Sequence, residues 1–250
     1  MIALIDADSI LYKVGFAIED KVIWNEPEFL AGIDEEQDIE YSVDLGLCYA
    51  SFQRTIENIM FAVDADGCEL VFTGSHNIRK TFPTEYKENR KLSRKPSGYD
   101  EMLEYALANY NCTVADNIEA DDIVVYRKTT YPDDYILCAI DKDVLYQTEG
   151  IHYNYNKDES VEVSKFESTK YAYLQTLSGD TSDGYKGCKG IGEKKAIKLL
   201  DGLETEEEMW EAVVTAYEAK GQTEEDALWT MRLANMHQFD GKDFILWETP

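Results

Sequence analysis

Short unbroken apolar runs alternate along this chain with stretches whose apolar residues recur at helical spacing. Ile2–Ile5, Leu70–Phe72 and Tyr135–Ile140 are such runs, each closed by small or acidic residues. They predict buried strands of a mostly parallel sheet. From Val43 to Val63, residues Leu47, Phe52, Ile56, Ile59, Met60 and Val63 follow helical spacing and predict a core helix. Tyr99–Tyr110 and Lys165–Leu177 predict further helices, and Ala196–Leu200 completes another. Cys112–Val114 predicts a brief strand, and the loose alternation of Ile151–Val163 one or two edge strands. Asp8 or Ser9 is placed to cap the helix after the first strand. Glu204–Glu208 and the capping-box-like Thr223–Asp226 read as acidic helix starts. Residues 19–41, acidic and containing Pro27, predict a loop or small excursion with no assigned chemistry. The alternation of strands and helices predicts an α/β fold, a mostly parallel central sheet flanked by helices. Residues 1–164 form its core. Residues 165–250 form a helical region whose apolar tail, Phe244–Trp247, docks back on that core.

Composition narrows the partners. The chain has 250 residues, and 24 Lys and Arg face 50 Asp and Glu, a formal charge of −26. That average argues against a nucleic-acid partner, because polyanion binding relies on Lys and Arg. The basic residues are not evenly spread, however. Arg79, Lys80, Lys87, Arg90, Lys91, Arg94 and Lys95 lie within residues 79–95 against only Glu85 and Glu88, with Phe82 and Tyr86 between them. A basic segment with interleaved aromatics suits a nucleic-acid strand, charges on phosphates and rings on bases. The alternative is an intramolecular contact with the acidic surface. Five dispersed cysteines without a CxxC pair argue against disulfides and zinc. There is no signal-peptide pattern and no apolar run long enough to span a membrane, so a cytoplasmic protein is expected. His76, His152 and His237 show no partner pattern.

The acids fall where chemistry would use them. Asp6 closes the first strand, and Asp141 and Asp143 close the run Tyr135–Ile140. Glu119, Asp121 and Asp122 open an apolar helix, and Asp180 and Asp183 stand three apart on a glycine-bordered loop read as entering a helix. Ligands of open α/β sheets sit at the carboxyl ends of the strands. One acid at a strand end or in a first helical turn is ordinary. Eight converging there would repel one another unless cations lay between them. All-oxygen ligation suits Mg²⁺ or Mn²⁺ rather than zinc. Two ions roughly 4 Å apart would polarise a phosphodiester and activate a water. Beyond Asp183, Gly187, Gly190 and Gly192 punctuate a turn leading into a helix with Lys194 and Lys195, a seat for a phosphate.

Four blocks, IALIDAD (2–8), TEYKENR (84–90), IEADDIV (118–124) with AIDKDVL (139–145), and LSGDTSDGYKGCKGIGEKKA (177–196), resemble the 5′-nuclease (flap endonuclease) superfamily along essentially the whole chain. The wording SGDTSDGYKG and the tail Met231–Trp247 look most like the 5′→3′ exonucleases of small tailed bacteriophages, the gene 6 type. The resemblance implies a PIN/FEN-like core carrying a carboxylate-bound pair of Mg²⁺ (or Mn²⁺) ions. It implies a helical arch at about 76–98 and a helix–three-turn–helix that holds duplex phosphates, often around a K⁺ ion. Carried over, Asp6, Glu119, Asp121 and Asp122 serve one metal, and Asp141, Asp143, Asp180 and Asp183 the other. Lys87 and Arg90 stabilise charge on the scissile phosphate. Arg79, with Lys80, Lys91, Arg94 and Lys95, steers the 5′ strand. Gly187, Gly190, Gly192, Lys194 and Lys195 seat duplex phosphates. The implied activity is metal-dependent 5′→3′ exonuclease action on duplex DNA with a 5′ end or flap, extending to RNA–DNA hybrids, by a monomer in the bacterial cytoplasm.

There is one departure: Thr73-Gly74-Ser75 stands where the family has an aspartate after the second strand. Asp8 would substitute if its side chain turned inward. Two other readings stay open, an RNA-cleaving nuclease with a related core and a non-catalytic duplex-binding protein of nuclease descent.

Overall fold

The structure is a computed structural model and describes residues 1–23, 39–90 and 93–250. Lys91 and residues 24–38, including Pro27, lie outside the described residues.

The apolar runs become the centre of the sheet. Ile2–Asp6 (β1) pairs in parallel with Gly67–Thr73 (β4) on one side and Tyr135–Ala139 (β6) on the other. Cys112–Ala115 (β5) extends the sheet beyond β4, and Gly150–Asn154 (β7) beyond β6, both in parallel. Glu159–Val163 (β8) closes the edge as the antiparallel partner of β7, so Ile151–Val163 holds two edge strands. The order among the described residues is β5-β4-β1-β6-β7-β8.

Helices cover both faces. On one, Asp8–Ile18 (α1), Leu45–Ala62 (α2) and Tyr99–Asn109 (α3) bury Ile10, Leu11, Phe52, Ile56 and Met102 against Ile5, Leu70 and Phe72. On the other, Ala120–Thr130 (α4) and the short Lys142–Tyr146 (α5) bury Val124, Val125 and Val144 against Leu4, Val71 and Leu137. Alternate residues of β1 and β4 thus serve opposite faces, as the pleat requires. A separate apolar cluster joins Lys165–Ser178 (α6), Glu193–Leu199 (α7), Glu206–Glu218 (α8) and Glu224–Ala234 (α9), with Tyr173, Leu177, Val213, Tyr217 and Met231 at its centre. Reciprocal capping boxes start α6 (Ser164, Glu167), α8 (Thr205, Glu208) and α9 (Thr223, Asp226). The tail divides between the two regions, with Trp247 on the helical region and Phe244 beside the core. Trp247 packs on Trp210 and Tyr173, and Phe244 packs on Phe82. Among the described residues no helix is long and apolar enough to cross a membrane.

Three local expectations are corrected. Residues 19–41 are not all loop: Asp20–Ile23 (β2) and Ile39–Ser42 (β3) pair antiparallel, strands too short to show a period in the sequence. Helix α1 starts at Ala7 without a side-chain cap, because Ser9 Oγ is engaged by the Tyr155 hydroxyl and Asp8 turns toward β4. Among the described residues of 76–98 no α-helix forms; two 3₁₀ turns, Ile78–Thr81 and Glu88–Arg90, lie at the carboxyl edge. Pro83 supplies no N–H between them, and Phe82 and Tyr86 turn inward rather than forming a helical stripe.

Candidate active site

The carboxyl ends of β1, β4 and β6, the start of α4 and the chain after α6 meet at one edge of the sheet. Asp6 ends β1, and Glu119 and Asp121 open α4. Asp141 caps α5 by accepting the Asp143 N–H (2.8 Å). Asp180 and Asp183 do not enter a helix. They follow the C-terminus of α6 in a hairpin whose strands are Gly179–Asp180 (β9) and Tyr185–Lys186 (β10). Gly179 makes that reversal with φ +71, and a Cβ there would meet the Gly187 nitrogen at 2.4 Å. Asp180 Oδ1 then accepts the N–H groups of Ser182 (2.6 Å) and Asp183 (3.0 Å), which turns the Asp183 carboxylate inward.

The gap between these acids is filled by Lys87. Its ammonium donates to Glu119 Oε1 and lies 3.5 Å from Asp183 Oδ2. Its backbone N–H donates to the Asp183 carbonyl (2.6 Å), and its φ is +52. A non-glycine residue in the left-handed region is uncommon, and such strain persists where the surroundings over-determine it. Tyr86 donates its hydroxyl to Glu119 and lies 3.2 Å from Asp183 Oδ2. Arg90 donates to Asp183 Oδ1 at 2.7 Å from a half-exposed position. Lys142 reaches Asp180 from the other side, at 3.4 Å.

The electrostatics follow from burial and crowding. Burial, then the charges of Asp8 and Asp141, pushes the Asp6 carboxyl up to about 8. Burial and Asp6 drive Asp121 well above the carboxylate range. Burial and Asp141 push Asp143 up to about 7. Glu119 goes the other way. Burial opposes its ionisation, but Lys87 and Arg79 outweigh it and hold the group at about 2. Lys87 is raised correspondingly, since Glu119 and Asp183 outweigh the burial that favours its neutral form. Asp143 Oδ1 is buried with no hydrogen-bond partner.

Several sequence expectations need correction. Asp122 was expected among the metal ligands and Arg79 along the incoming strand, yet both are fully buried on one another. Arg79 donates to Asp122 Oδ2 (2.6 Å) and Oδ1 (2.7 Å), to the Asn235 carbonyl (3.1 Å), and stacks over Phe244. The pair wedges the tail against the acidic start of α4. Phe82 packs on Trp229, and Tyr86 is buried, so neither ring is free for a base. Arg94 pairs with Glu19 and stacks over Tyr41, and Lys95 pairs with Asp100. Much of the 79–95 charge is thus spent within the molecule, the alternative the composition left open. Lys80 is exposed. Among the described residues no three carboxylate, imidazole or thiol side chains already grip one point, because the Lys87 ammonium lies among the acids. The turn after β10 does present an exposed basic face of Lys186, Lys189, Lys194, Lys195 and Lys198, with Gly190 and Gly192 exposed and Gly187 half-buried. His152 is buried neutral, its Nε2 on the Thr148 carbonyl (2.6 Å) and its acidity shifted by burial to about 4.

Two tyrosines escaped the sequence reading as site residues. Tyr86 was read as a base-stacking ring. Tyr155 donates to the Asp6 carbonyl (2.8 Å) from beyond β7, a contact carrying no sequence signal.

Arg79→Ala is expected to cost about 3–5 kcal/mol, because it strands the Asp122 charge in a dry site. Urea unfolding measures this. A loss below about 1 kcal/mol would mean that Asp122 is rehydrated and the wedge carries no strength.

No family model matches the chain. It is 26% identical over 213 residues to the exonuclease of Escherichia phage T7, covering 70% of each protein. It is 30% identical over 164 residues to the exodeoxyribonuclease of Enterobacteria phage T3, covering 62% of this chain and 53% of that one. The T5 5′-exonuclease solved with bound divalent metal ions (zinc) superposes with a TM-score of 0.67 at 14% identity, covering 94% of this chain and 89% of that one. That likeness shows the fold. In sequence, with the acidic strand ends, the chain is similar to the phage exonucleases among the 5′-nucleases.

Proposed function

We propose that the chain is a metal-dependent 5′→3′ exonuclease acting on duplex DNA, with 5′ flaps and RNA–DNA hybrids as further substrates of the same site. The observation that carries this is the carboxylate edge itself, with Lys87 and Arg90 laid directly into it. The phage relatives are named exonuclease and exodeoxyribonuclease, and the T5 protein has been solved with divalent metal ions.

The donor set fits a hard cation. It is all oxygen, Asp143 Oδ1 is buried without a partner, and burial together with the facing carboxylates raises Asp6, Asp121 and Asp143 above the usual carboxylate range. Asp6, Glu119 and Asp121 would hold one Mg²⁺ or Mn²⁺ ion, and Asp141, Asp143, Asp180 and Asp183 a second. Such ions, when bound, polarise a phosphodiester and supply hydroxide at neutral pH. The rest is the work of side chains. Lys87 and Arg90 face the cluster as cations and stabilise charge developing on the scissile phosphate. Tyr86 orients Glu119 and Asp183. The lysines and glycines of 186–198 hold the duplex backbone, while the acidic remainder limits non-specific contact. A K⁺ ion at the 187–192 turn would have to displace the Lys195 ammonium from the Gly190 carbonyl (2.8 Å). The enzyme would act as a monomer in the bacterial cytoplasm.

The test is release of nucleotides from 5′-labelled blunt duplex in Mg²⁺, beside EDTA and an Asp143→Ala/Asp183→Ala double variant. Release is expected for the wild type and should fall at least about 10³-fold in both controls, as for removal of essential catalytic groups. Intact DNA that still shifts on a gel would instead make this a binding protein. Parallel 5′-flap and RNA–DNA hybrid substrates grade the preference.

A further inference from the structure

Asp8 stands between β1 and β4, and its surroundings are built. Ala7 N–H donates to the Val71 carbonyl (3.0 Å), which ties the end of β1 to β4. One residue on, Asp8 Oδ2 accepts the Thr73 N–H (2.9 Å) as β4 ends. The Thr73 hydroxyl in turn accepts the Ala120 N–H (3.0 Å), and Ala120 lies between Glu119 and Asp121. Two strand ends and the acidic start of α4 are therefore locked together through Asp8 and Thr73. The second carboxylate oxygen, Asp8 Oδ1, is buried with no hydrogen-bond partner. A buried carboxylate oxygen left unpaired is costly and calls for an explanation. The neighbouring position offers no other donor: Gly74 has no side chain, and a Cβ there would meet the Ala115 carbonyl oxygen at 2.2 Å.

We propose that Asp8 is a further acidic group of the cation site, its free Oδ1 reaching the ion held by Asp6, Glu119 and Asp121 directly or through a bound water, while Thr73 holds the carboxylate in place. The inference rests on the nuclease reading and adds a residue to it. Asp8 supplies the charge that position 74 cannot carry without moving the β5 backbone. Asp8→Asn is the informative change, because the amide oxygen can still accept the Thr73 N–H while the charge and one acceptor are lost.

Calcium binding to wild type and Asp8→Asn, measured by calorimetry without DNA, tests the idea. The variant is expected to bind about 10- to 100-fold more weakly, the range for altering the shell around a metal. Its duplex cleavage should recover as Mg²⁺ is raised. Thermal melting in EDTA should show the variant at least as stable as the wild type, since a repelling charge has gone. If both proteins bind Ca²⁺ equally and their Mg²⁺ dependences superimpose, Asp8 merely ties β1 to β4 and the proposal fails alone. If the wild type binds no Ca²⁺ or Mn²⁺, the nuclease reading fails with it. Should Asp8→Asn not fold, Asp8→Ser, which also lacks the charge, is judged by the same titration.

Discussion

Lys87→Ala is expected to slow duplex cleavage about 10²- to 10³-fold, the usual loss when one charge-stabilising donor is removed, while divalent-cation binding becomes tighter. The opposite signs are the diagnostic part. Lys87 Nζ pairs with Glu119 and Asp183, so it occupies charge that a cation would use. Without that ammonium, Glu119 loses the larger of the two neighbouring charges that hold it near 2, and the carboxylates gain by binding metal instead. Coupling is reciprocal, so metal loading should also free Lys87 to meet phosphate. Arg90, half-exposed and paired with Asp183 alone among the described acids, should show a smaller gain in cation affinity. Single-turnover cleavage and Ca²⁺ calorimetry on the two variants read both effects. If Lys87→Ala weakened cation binding, the lysine would be organising the carboxylates rather than competing for them.

How far the chain could be read in advance depended on which residues announce themselves. The strands β1, β4 and β6 are apolar on both faces because helices cover both, and a run such as Ile2–Ile5 has few other interpretations. Helices α2, α3, α6 and α9 show their period and, for α9, the cap. The acids at strand ends were legible because position along a parallel strand fixes the edge at which a side chain emerges. What the sequence hid was the partner of each charge. Arg79 and Asp122 lie 43 residues apart and join only once the 3₁₀ turn at Ile78–Thr81 lies against α4. A basic cluster looks the same in sequence whether its charges face a phosphate or an acidic surface of the same chain. The hairpin that turns Asp183 inward depends on the close approach of Gly179 to Gly187, which is a tertiary fact. Asp8 was legible as an acid near a helix start, but its orientation toward Thr73 follows from strand order alone.

In EDTA, the melting temperature should fall as pH rises from about 7 to 8.5. The groups facing one another at the edge are Asp6, Asp8, Glu119, Asp121, Asp141, Asp143 and Asp183, with Lys87 among them. Asp6 titrates near 8 in the folded protein against about 3.8 when unfolded, so at neutral pH the native state holds a proton the unfolded chain has lost. Stability then falls with pH, by about 1.4 kcal/mol per unit for each proton so held. Glu119 contributes the reverse sign, but only near pH 2–4.5, far below the window. The buried neutral His152, shifted to about 4, also favours the native state as pH rises, but that gain is complete once free histidine has titrated near 6.5. Above pH 7 the carboxylates therefore dominate. Because Asp6 is itself half-titrated at about 8, the loss is about 1.3 kcal/mol over the window, or roughly 3–5 °C in a domain of this size. Mg²⁺ should reverse the trend, since cation binding requires the same protons to leave and strengthens as they do. Asp6→Asn should flatten the EDTA slope and melt higher than wild type at pH 8.5. A wild-type melting temperature that stayed level or climbed in EDTA would mean that the acids are hydrated and apart, and the compressed cluster described above would not exist in solution.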